Sequence, residues 1–327
     1  MHQAFVLAAG FGTRLRPLTT LKPKPLVPVC GVPMLSYALA LCARHGLSPV
    51  VVNAHHLADQ LRPWAGSHEG VDVTISEELP DILGTGGGLR KVRDQLAETV
   101  AVVNGDTLCN VDLRALLDAI PGGGGAMALR VHPEDARERY GVVAYDDAGL
   151  VTDLKRMARS TPEGAEHRDA HFTGIHALHR DMLDHVPEGM ACIVRTAYIA
   201  EVPRRRVAAV RHDGTWLDVG DPAAYLDTNL AVLGGAVSLP LDPWSRAAGG
   251  TVTGSVATAQ GGRLHGPVWV GEGARIQGEV VQSAIGARAV VPAGARLDSC
   301  IVWDDVVVPP GAWYRHVFAG GDPVDVE

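Results

Sequence analysis

The chain has 327 residues, long enough for one large or two moderate domains with real cores; its 46% hydrophobic share is ordinary and its 20% charged share argues against disorder. A formal net charge of −8 at pH 7 excludes general binding to nucleic acid or to an anionic membrane surface, because polyanions need a basic face. No run of about 18 apolar residues occurs and the first residues enter a strand at once, so neither a membrane span nor a secretory signal is expected, and the chain reads as cytoplasmic.

Apolar strand runs alternate with helical patterns from Met1 to about Leu233. This predicts an α/β domain over residues 1–235, a doubly wound, mostly parallel sheet with helices on both faces. Ala4–Ala9 is the first strand. Met34–Arg44 is a helix, with Pro33 at its start, Leu35, Leu39 and Cys42 on one face and Gly46 as its stop. A strand at Pro49–Asn53, a short helix at His56–Trp64, a strand at Val71–Ile75 and a helix at Gly87–Leu96 follow. Val100–Val103 then runs into Asn104-Gly105-Asp106, and Asp112 caps a helix that continues through Ile120. After the turn Gly122–Gly125 the strand Ala126–Val131 resumes the sheet, while Gly141–Ala209 is strand-rich and less regular and suggests an inserted or lid-like lobe. Trp216-Leu217-Asp218-Val219-Gly220 returns to the main sheet, and Pro222–Leu233 is a last helix with proline in its first turn.

Residues 236–264 form a linker rich in Gly, Ala, Ser and Pro. From about His265 the aliphatics Ile285, Val291 and Leu297 fall six apart, and Val270 and Ile276 repeat that spacing upstream. Six-residue spacing of aliphatics, each followed by small residues, is the pattern of a hexapeptide parallel β-helix, expected over residues 265–327. A small β-sandwich is the alternative, since the count slips near Gln277–Ala284 and again near Trp303.

The chemistry-bearing residues concentrate at the ends of strands. The first strand empties into Leu7-Ala8-Ala9-Gly10-Phe11-Gly12-Thr13-Arg14, and two further cations, Lys22 and Lys24, follow in a Lys-Pro-Lys-Pro run. Backbone amides in such a small-residue loop can approach phosphate oxygens, so the segment is an anion site. It is neither a Walker loop, which needs Lys and then Ser or Thr after its last glycine, nor a dinucleotide fingerprint, whose third glycine is missing. Asp106 ends a strand at the carboxyl edge of the sheet, where α/β proteins bind ligands. Ile82-Leu83-Gly84-Thr85-Gly86-Gly87-Gly88 lies just before a helix and could admit a ligand closely. His171, His176, His179 and His185 show no zinc spacing. The five cysteines are scattered without a Cys-x-x-Cys pair, which argues against disulfides and a cysteine metal site, and no Ser-His-Asp or Cys-His grouping is visible.

The loop from Leu7 to Lys24, with Gly105-Asp106 and the later Trp-Leu-Asp, resembles the signature of the sugar-1-phosphate nucleotidylyltransferases, and among them the mannose-1-phosphate guanylyltransferases. The resemblance implies transfer of a nucleoside monophosphate from a nucleoside triphosphate to a sugar-1-phosphate, with release of pyrophosphate. It implies that Leu7, Ala8, Ala9, Gly10, Gly12 and Thr13 cradle the nucleotide, that Arg14 holds the triphosphate tail, and that Lys24 bridges the two phosphates. It further implies that Asp106 and Asp218 hold Mg2+, that Gly84, Thr85 and Gly86 read the base, that Asn104 and Gly105 bind substrate, that Gly141, Thr173 and Gly174 line the sugar site, and that Lys155 binds the sugar phosphate. The Lys155 element here reads Leu154-Lys155-Arg156, without the acidic neighbour and proline of the family pattern. The glycine segment is compatible with guanine, and equally with uracil as in N-acetylmuramate-1-phosphate uridylyltransferases. Relatives of this shape also include noncatalytic assembly subunits, and the tail implies a homo-oligomer, a left-handed β-helix being a common self-association element.

Overall fold

The computed structural model describes residues 2–131, 140–154, 157–160, 167–246, 257–259 and 261–326. The chain divides into two compact units. One comprises residues 1–11, 38–105 and 109–216, and the other residues 12–37, 106–108 and 217–327.

The first unit is built on one 11-stranded sheet. Its centre is four parallel strands in the order Thr99–Asn104, Gln3–Leu7, Val50–Ala54 and Val71–Glu77. Their apolar, β-branched sequences suit strands covered on both faces, and Phe5, Val51, Val100 and Val102 lie in the core. All four end at the same edge, so Leu7, Ala54, Glu77 and Asn104 open onto one side. The predicted strands and the helices Met34–Arg44 and Pro222–Leu233 stand where periodicity put them. Asp112 accepts hydrogen bonds from the Arg114 and Ala115 amides and caps Leu113–Asp118.

Two expectations are corrected. The strand-rich stretch after Gly141 is no separate lobe: Arg168–His179 pairs antiparallel with Thr99–Asn104 and carries Val143–Tyr145, Val151–Leu154 and Ala158–Arg159 outward in the same sheet. Irregular sequence here reflects a twelve-residue strand broken by a bulge between Phe172 and His176, where the register shifts and Gly174 takes φ +86°. The glycine-rich helix starts at Gly84, three residues earlier than expected, and continues to Lys91. Glycine weakens a helix by propensity, and tertiary packing overrides that preference here.

In the second unit, Pro28–Val29 and Val32–Pro33 form a hairpin whose two-residue turn, Cys30-Gly31, has positive φ at both positions. The tail is built mainly of short parallel strands in three ladders, with Val324–Asp325 added antiparallel to His316–Phe318. Leu264, Val280, Leu297 and Trp313 align in the first, Val270, Ile285, Val302 and Phe318 in the second, and Ile276 with Val291 in the third. The aliphatics picked out by six-residue spacing, Ile276, Ile285, Val291 and Leu297, are buried in one cluster. The count slips because successive rungs differ in length: Ile276 and Val291 are fifteen residues apart, Val280 and Leu297 seventeen. Among the described residues no helix is long and apolar enough to cross a membrane.

Candidate functional site

In the first unit the carboxyl edge of the parallel strands is knitted by a buried polar relay. The Ala8 amide donates to Asn53 Oδ1 at 2.6 Å, Asn53 Nδ2 donates to Glu78 Oε1 at 2.7 Å, and the Leu83 amide donates to Glu78 Oε2 at 2.6 Å. Asn53 and Glu78 are both buried, Glu78 completely. The relay ties the end of Gln3–Leu7 to the entry of the glycine helix. A Cβ on Gly88 would come within 2.4 Å of Glu78 Oε1, so any other residue there would displace the carboxylate from its place beside the helix. Sequence reading passed over Glu78. The signal was present in a polar residue at the end of each of two neighbouring parallel strands.

The glycine helix makes contacts that the sequence did not foreshadow. The Gly86 amide donates to the Ala191 carbonyl at 2.8 Å, the Ala191 amide donates to the Leu83 carbonyl at 2.9 Å, and the Ile193 amide donates to Thr85 Oγ1 at 3.0 Å. Gly84 has φ +69°, and a Cβ there would lie 2.8 Å from the Ala191 carbonyl. Gly86 and Thr85, expected to face a base, are therefore bonded to the strap 191–193, and these glycines allow two backbones to touch.

Gly105 donates its amide to the Leu7 carbonyl at 2.9 Å, which locks Asn104-Gly105 beside the start of the signature loop. Gly174 packs on Asn104, whose Nδ2 would be 2.3 Å from a Cβ at that position. Thr173 is buried, its hydroxyl donating to the Ala128 carbonyl at 2.9 Å, and the Trp216 indole N–H donates to the Thr173 carbonyl at 2.9 Å. Tyr140, next to Gly141, stacks on His171 at 5.0 Å and meets the edge of Trp216 at 5.1 Å. Asn104, Gly141, Thr173 and Gly174 are thus linked through one aromatic group and the bulge. Lys155 lies outside the described residues. Gly10 has open space around it, and Phe11 stands against His55 and His56.

The remaining histidines hold structure. His176 is buried with its Nδ1 2.8 Å from the Tyr198 hydroxyl, and burial pulls its pKa down to about 3. His179 contacts Glu98 and His185 contacts Glu201. All five cysteines are free thiols, and burial pushes Cys42 up to about 12 and Cys109 up to about 11, far from thiolate chemistry.

In the second unit Lys24 Nζ sits 2.5 Å from Asp106 Oδ2, with the lysine side chain only 9% exposed. Pro23 and Pro25 fix φ on either side of it, and the turn is closed by the Val27 amide donating to the Lys24 carbonyl. Gly12 has φ +59°, and a Cβ there would meet Thr19 at 2.7 Å and Lys24 at 3.2 Å, while Thr19 Oγ1 donates to the Gly12 carbonyl. The loop can cross the lysine segment only as glycine. Thr13 and Arg14 are exposed on the turn that follows.

The strand Thr107–Cys109 pairs with Trp216–Asp218. Beyond one end of this ribbon the Asn110 amide donates to the Thr215 carbonyl, so the strands run antiparallel and Asp106 and Asp218 share the opposite end. Among the described residues no group of three or more His, Cys, Asp or Glu side chains is placed to hold a metal. A pair of carboxylates is what magnesium usually takes from a protein, the rest of its six oxygens coming from phosphate and water.

The first unit is an α/β sheet with a small-residue loop after its first parallel strand, and the second holds a lysine clamped to a carboxylate. Residues 3–234 match the family model described as Nucleotidyl transferase, and the chain belongs to that family. It is an enzyme of the nucleotidyltransferase class. A UTP--glucose-1-phosphate uridylyltransferase of Synechocystis sp. is 27% identical over 95% of this chain and 85% of its own length. A mannose-1-phosphate guanylyltransferase of Mycobacterium tuberculosis is 27% identical over 95% of this chain and 82% of its own. An N-acetylmuramate alpha-1-phosphate uridylyltransferase of Neisseria meningitidis serogroup B is 30% identical over 67% of this chain and 93% of its own.

Proposed function

We propose that the protein transfers a nucleoside monophosphate from a nucleoside triphosphate to a sugar-1-phosphate, with GTP and mannose-1-phosphate or a related sugar phosphate as the first choice of substrates. An oxygen of the sugar phosphate attacks the α-phosphorus. A new phosphorus–oxygen bond forms as the bond to the β-phosphate's bridging oxygen breaks, and pyrophosphate leaves. Two anions must meet, so charge screening dominates the catalytic task. The observation that carries this reading is the shielded pair Lys24–Asp106, a cation held beside a carboxylate immediately after the phosphate loop.

In this reading Arg14 holds the triphosphate tail and the departing pyrophosphate, and Lys24 spans the α-phosphate and the sugar phosphate. Asp106 and Asp218 would hold Mg2+, which when bound neutralises phosphate charge. The loop Leu7–Thr13 receives the nucleotide, and Gly84, Thr85 and Gly86 read the base. Asn104 and Gly105 bind substrate, Gly141, Thr173 and Gly174 frame the sugar, and Lys155 is assigned its phosphate. The catalytic domain is taken to cover residues 1–235, with residues 236–264 as a linker. The tail, 265–327, is read as a left-handed parallel β-helix, on the support of its three parallel ladders, and as the element through which copies self-associate.

Uridylyl transfer is the second reading, favoured by the two relatives named as uridylyltransferases. Pyrophosphate release with magnesium across a panel of triphosphates and sugar-1-phosphates decides between them. Activity with GTP and mannose-1-phosphate supports the first choice, and preference for UTP moves the assignment to the second. Asp106→Asn and Asp218→Asn are expected to lower turnover by at least about 100-fold, and near-normal magnesium-dependent turnover in either removes that residue from the site.

A further inference from the structure

Between Lys24 and the hairpin at Cys30-Gly31, successive backbone groups are held by hydrogen bonds from other parts of the second unit. The Val27 carbonyl accepts from the Met34 amide at 3.2 Å. The Pro28 carbonyl accepts from the Tyr225 hydroxyl at 2.6 Å, and the Val29 carbonyl from the Tyr37 hydroxyl at 3.0 Å. The Cys30 amide donates to Asn229 Oδ1 at 2.8 Å. Tyr225 and Asn229 are on the helix Pro222–Leu233 and are fully buried.

The tail closes this arrangement. The Trp303 indole N–H donates to the Tyr225 hydroxyl at 2.9 Å, so the phenol has an acceptor ahead of it and a donor behind it, and its direction is fixed. Trp269 lies against Gly31 so closely that a Cβ there would fall 1.8 Å from the ring, and its own N–H donates to the Pro243 carbonyl. Lys22, two residues before Lys24, has its ammonium 5.9 Å from the Trp303 ring centroid. Both tryptophans are at most 4% exposed. Nothing in a self-association element requires two buried indoles to grip a hairpin that follows a phosphate-binding lysine.

We propose that Trp303, through Tyr225, together with Trp269 on the hairpin, are positioning residues for Lys24, so that the tail is a working part of the catalytic loop. The tail would set the Pro28 carbonyl and the hairpin tip, the rigid Lys-Pro turn would transmit that placement over four residues, and the Lys24 ammonium would meet Asp106 and the phosphates in register. Misplacement of a catalytic group by about 1 Å costs roughly 100-fold in rate, which is the scale on which loss of one anchoring bond acts.

This inference rests on the proposed role of Lys24, so Lys24→Ala is measured beside Tyr225→Phe and Trp303→Phe in the full-length protein, well below each variant's melting temperature. Product is counted by a radiolabelled nucleotide assay. Tyr225→Phe, which keeps the ring and removes both bonds, is expected to lower kcat about 10- to 100-fold. Trp303→Phe, which removes the donor behind the phenol, is expected to give a smaller loss of the same kind. In the Lys24→Ala background Trp303→Phe should change the residual rate by less than about twofold, because the residue it positions is gone. A merely structural role would lower both backgrounds by the same factor, and that result overturns the proposal. Wild-type rates in both Tyr225→Phe and Trp303→Phe, with Lys24→Ala inactive, also overturn it while leaving the Lys24 reading intact. Full activity in Lys24→Ala removes the catalytic reading itself. Should Tyr225→Phe fail to fold, Trp303→Phe alone decides.

Discussion

Replacing Glu78 by glutamine changes one atom and should break the relay that joins the signature loop to the glycine helix. Both ends of the relay are backbone amides, Ala8 and Leu83, which can only donate. The Ala8 amide fixes Asn53 with its oxygen toward residue 8, so its Nδ2 must donate to Glu78. Glu78 therefore receives one donor on each oxygen, and only a carboxylate accepts at both. Glutamine must turn its own NH2 toward either Asn53 Nδ2 or the Leu83 amide, and in each orientation two buried donors face one another. Each buried unsatisfied polar group costs about 1–3 kcal/mol, which makes the expected loss about 2–6 kcal/mol. Urea unfolding of wild type, Glu78→Gln and Glu78→Leu measures it. Loss below 1 kcal/mol for Glu78→Gln would refute the reasoning, since it would mean that the site accepts an amide where the hydrogen-bond polarity forbids one.

Gly87→Ala would bring its Cβ to 2.1 Å from the Gly189 carbonyl oxygen, forcing the strap against the glycine helix to retreat by about 1 Å. Overpacking of this kind costs about 1–3 kcal/mol, and urea midpoints within experimental scatter of wild type would contradict the tight contact. His176 adds a pH dependence. Its folded pKa of about 3 lies below the ordinary 6.5, so the unfolded chain binds the proton first on acidification. The associated stability is complete above about pH 6.5 and is lost as pH falls toward 3, by up to about 1.4 kcal/mol per pH unit. Stability curves at pH 7.0 and pH 5.5 should converge less steeply in His176→Gln, and an unchanged slope would show that burial of this ring is not what keeps it neutral.

Local chemistry explains why much of the fold was legible. Met34–Arg44 and Pro222–Leu233 announce themselves because apolar spacing and end residues agree, with Pro222 in the first turn and Asp221 accepting from the Ala224 amide. Gln3–Leu7, Val50–Ala54 and Thr99–Asn104 are apolar along their length because both faces are covered. The glycine helix was placed late because three consecutive glycines are poor helix formers, and only the strap 189–193 lying against them makes the helix worthwhile. The strand Arg168–His179 looked like part of a lobe because its bulge breaks the alternation that marks a strand.

By itself the sequence determined the class of chemistry: a small-residue phosphate loop, two cations locked by prolines and an aspartate after a strand are local patterns that need no partner to be recognised. Tertiary structure alone decided which groups meet. Glu78 becomes a two-sided acceptor only because Asn53 on the neighbouring strand and the Leu83 amide at the entry of the glycine helix converge on its two oxygens. Thr85 and Gly86 meet Ile193 and Ala191 because a strap a hundred residues later lies on them. Tyr225 comes to link Pro28 with Trp303 for the same reason. Hydrogen-bond partners far apart in the chain leave no periodicity to read, and they are fixed by which surfaces the sheet and the ladders press together.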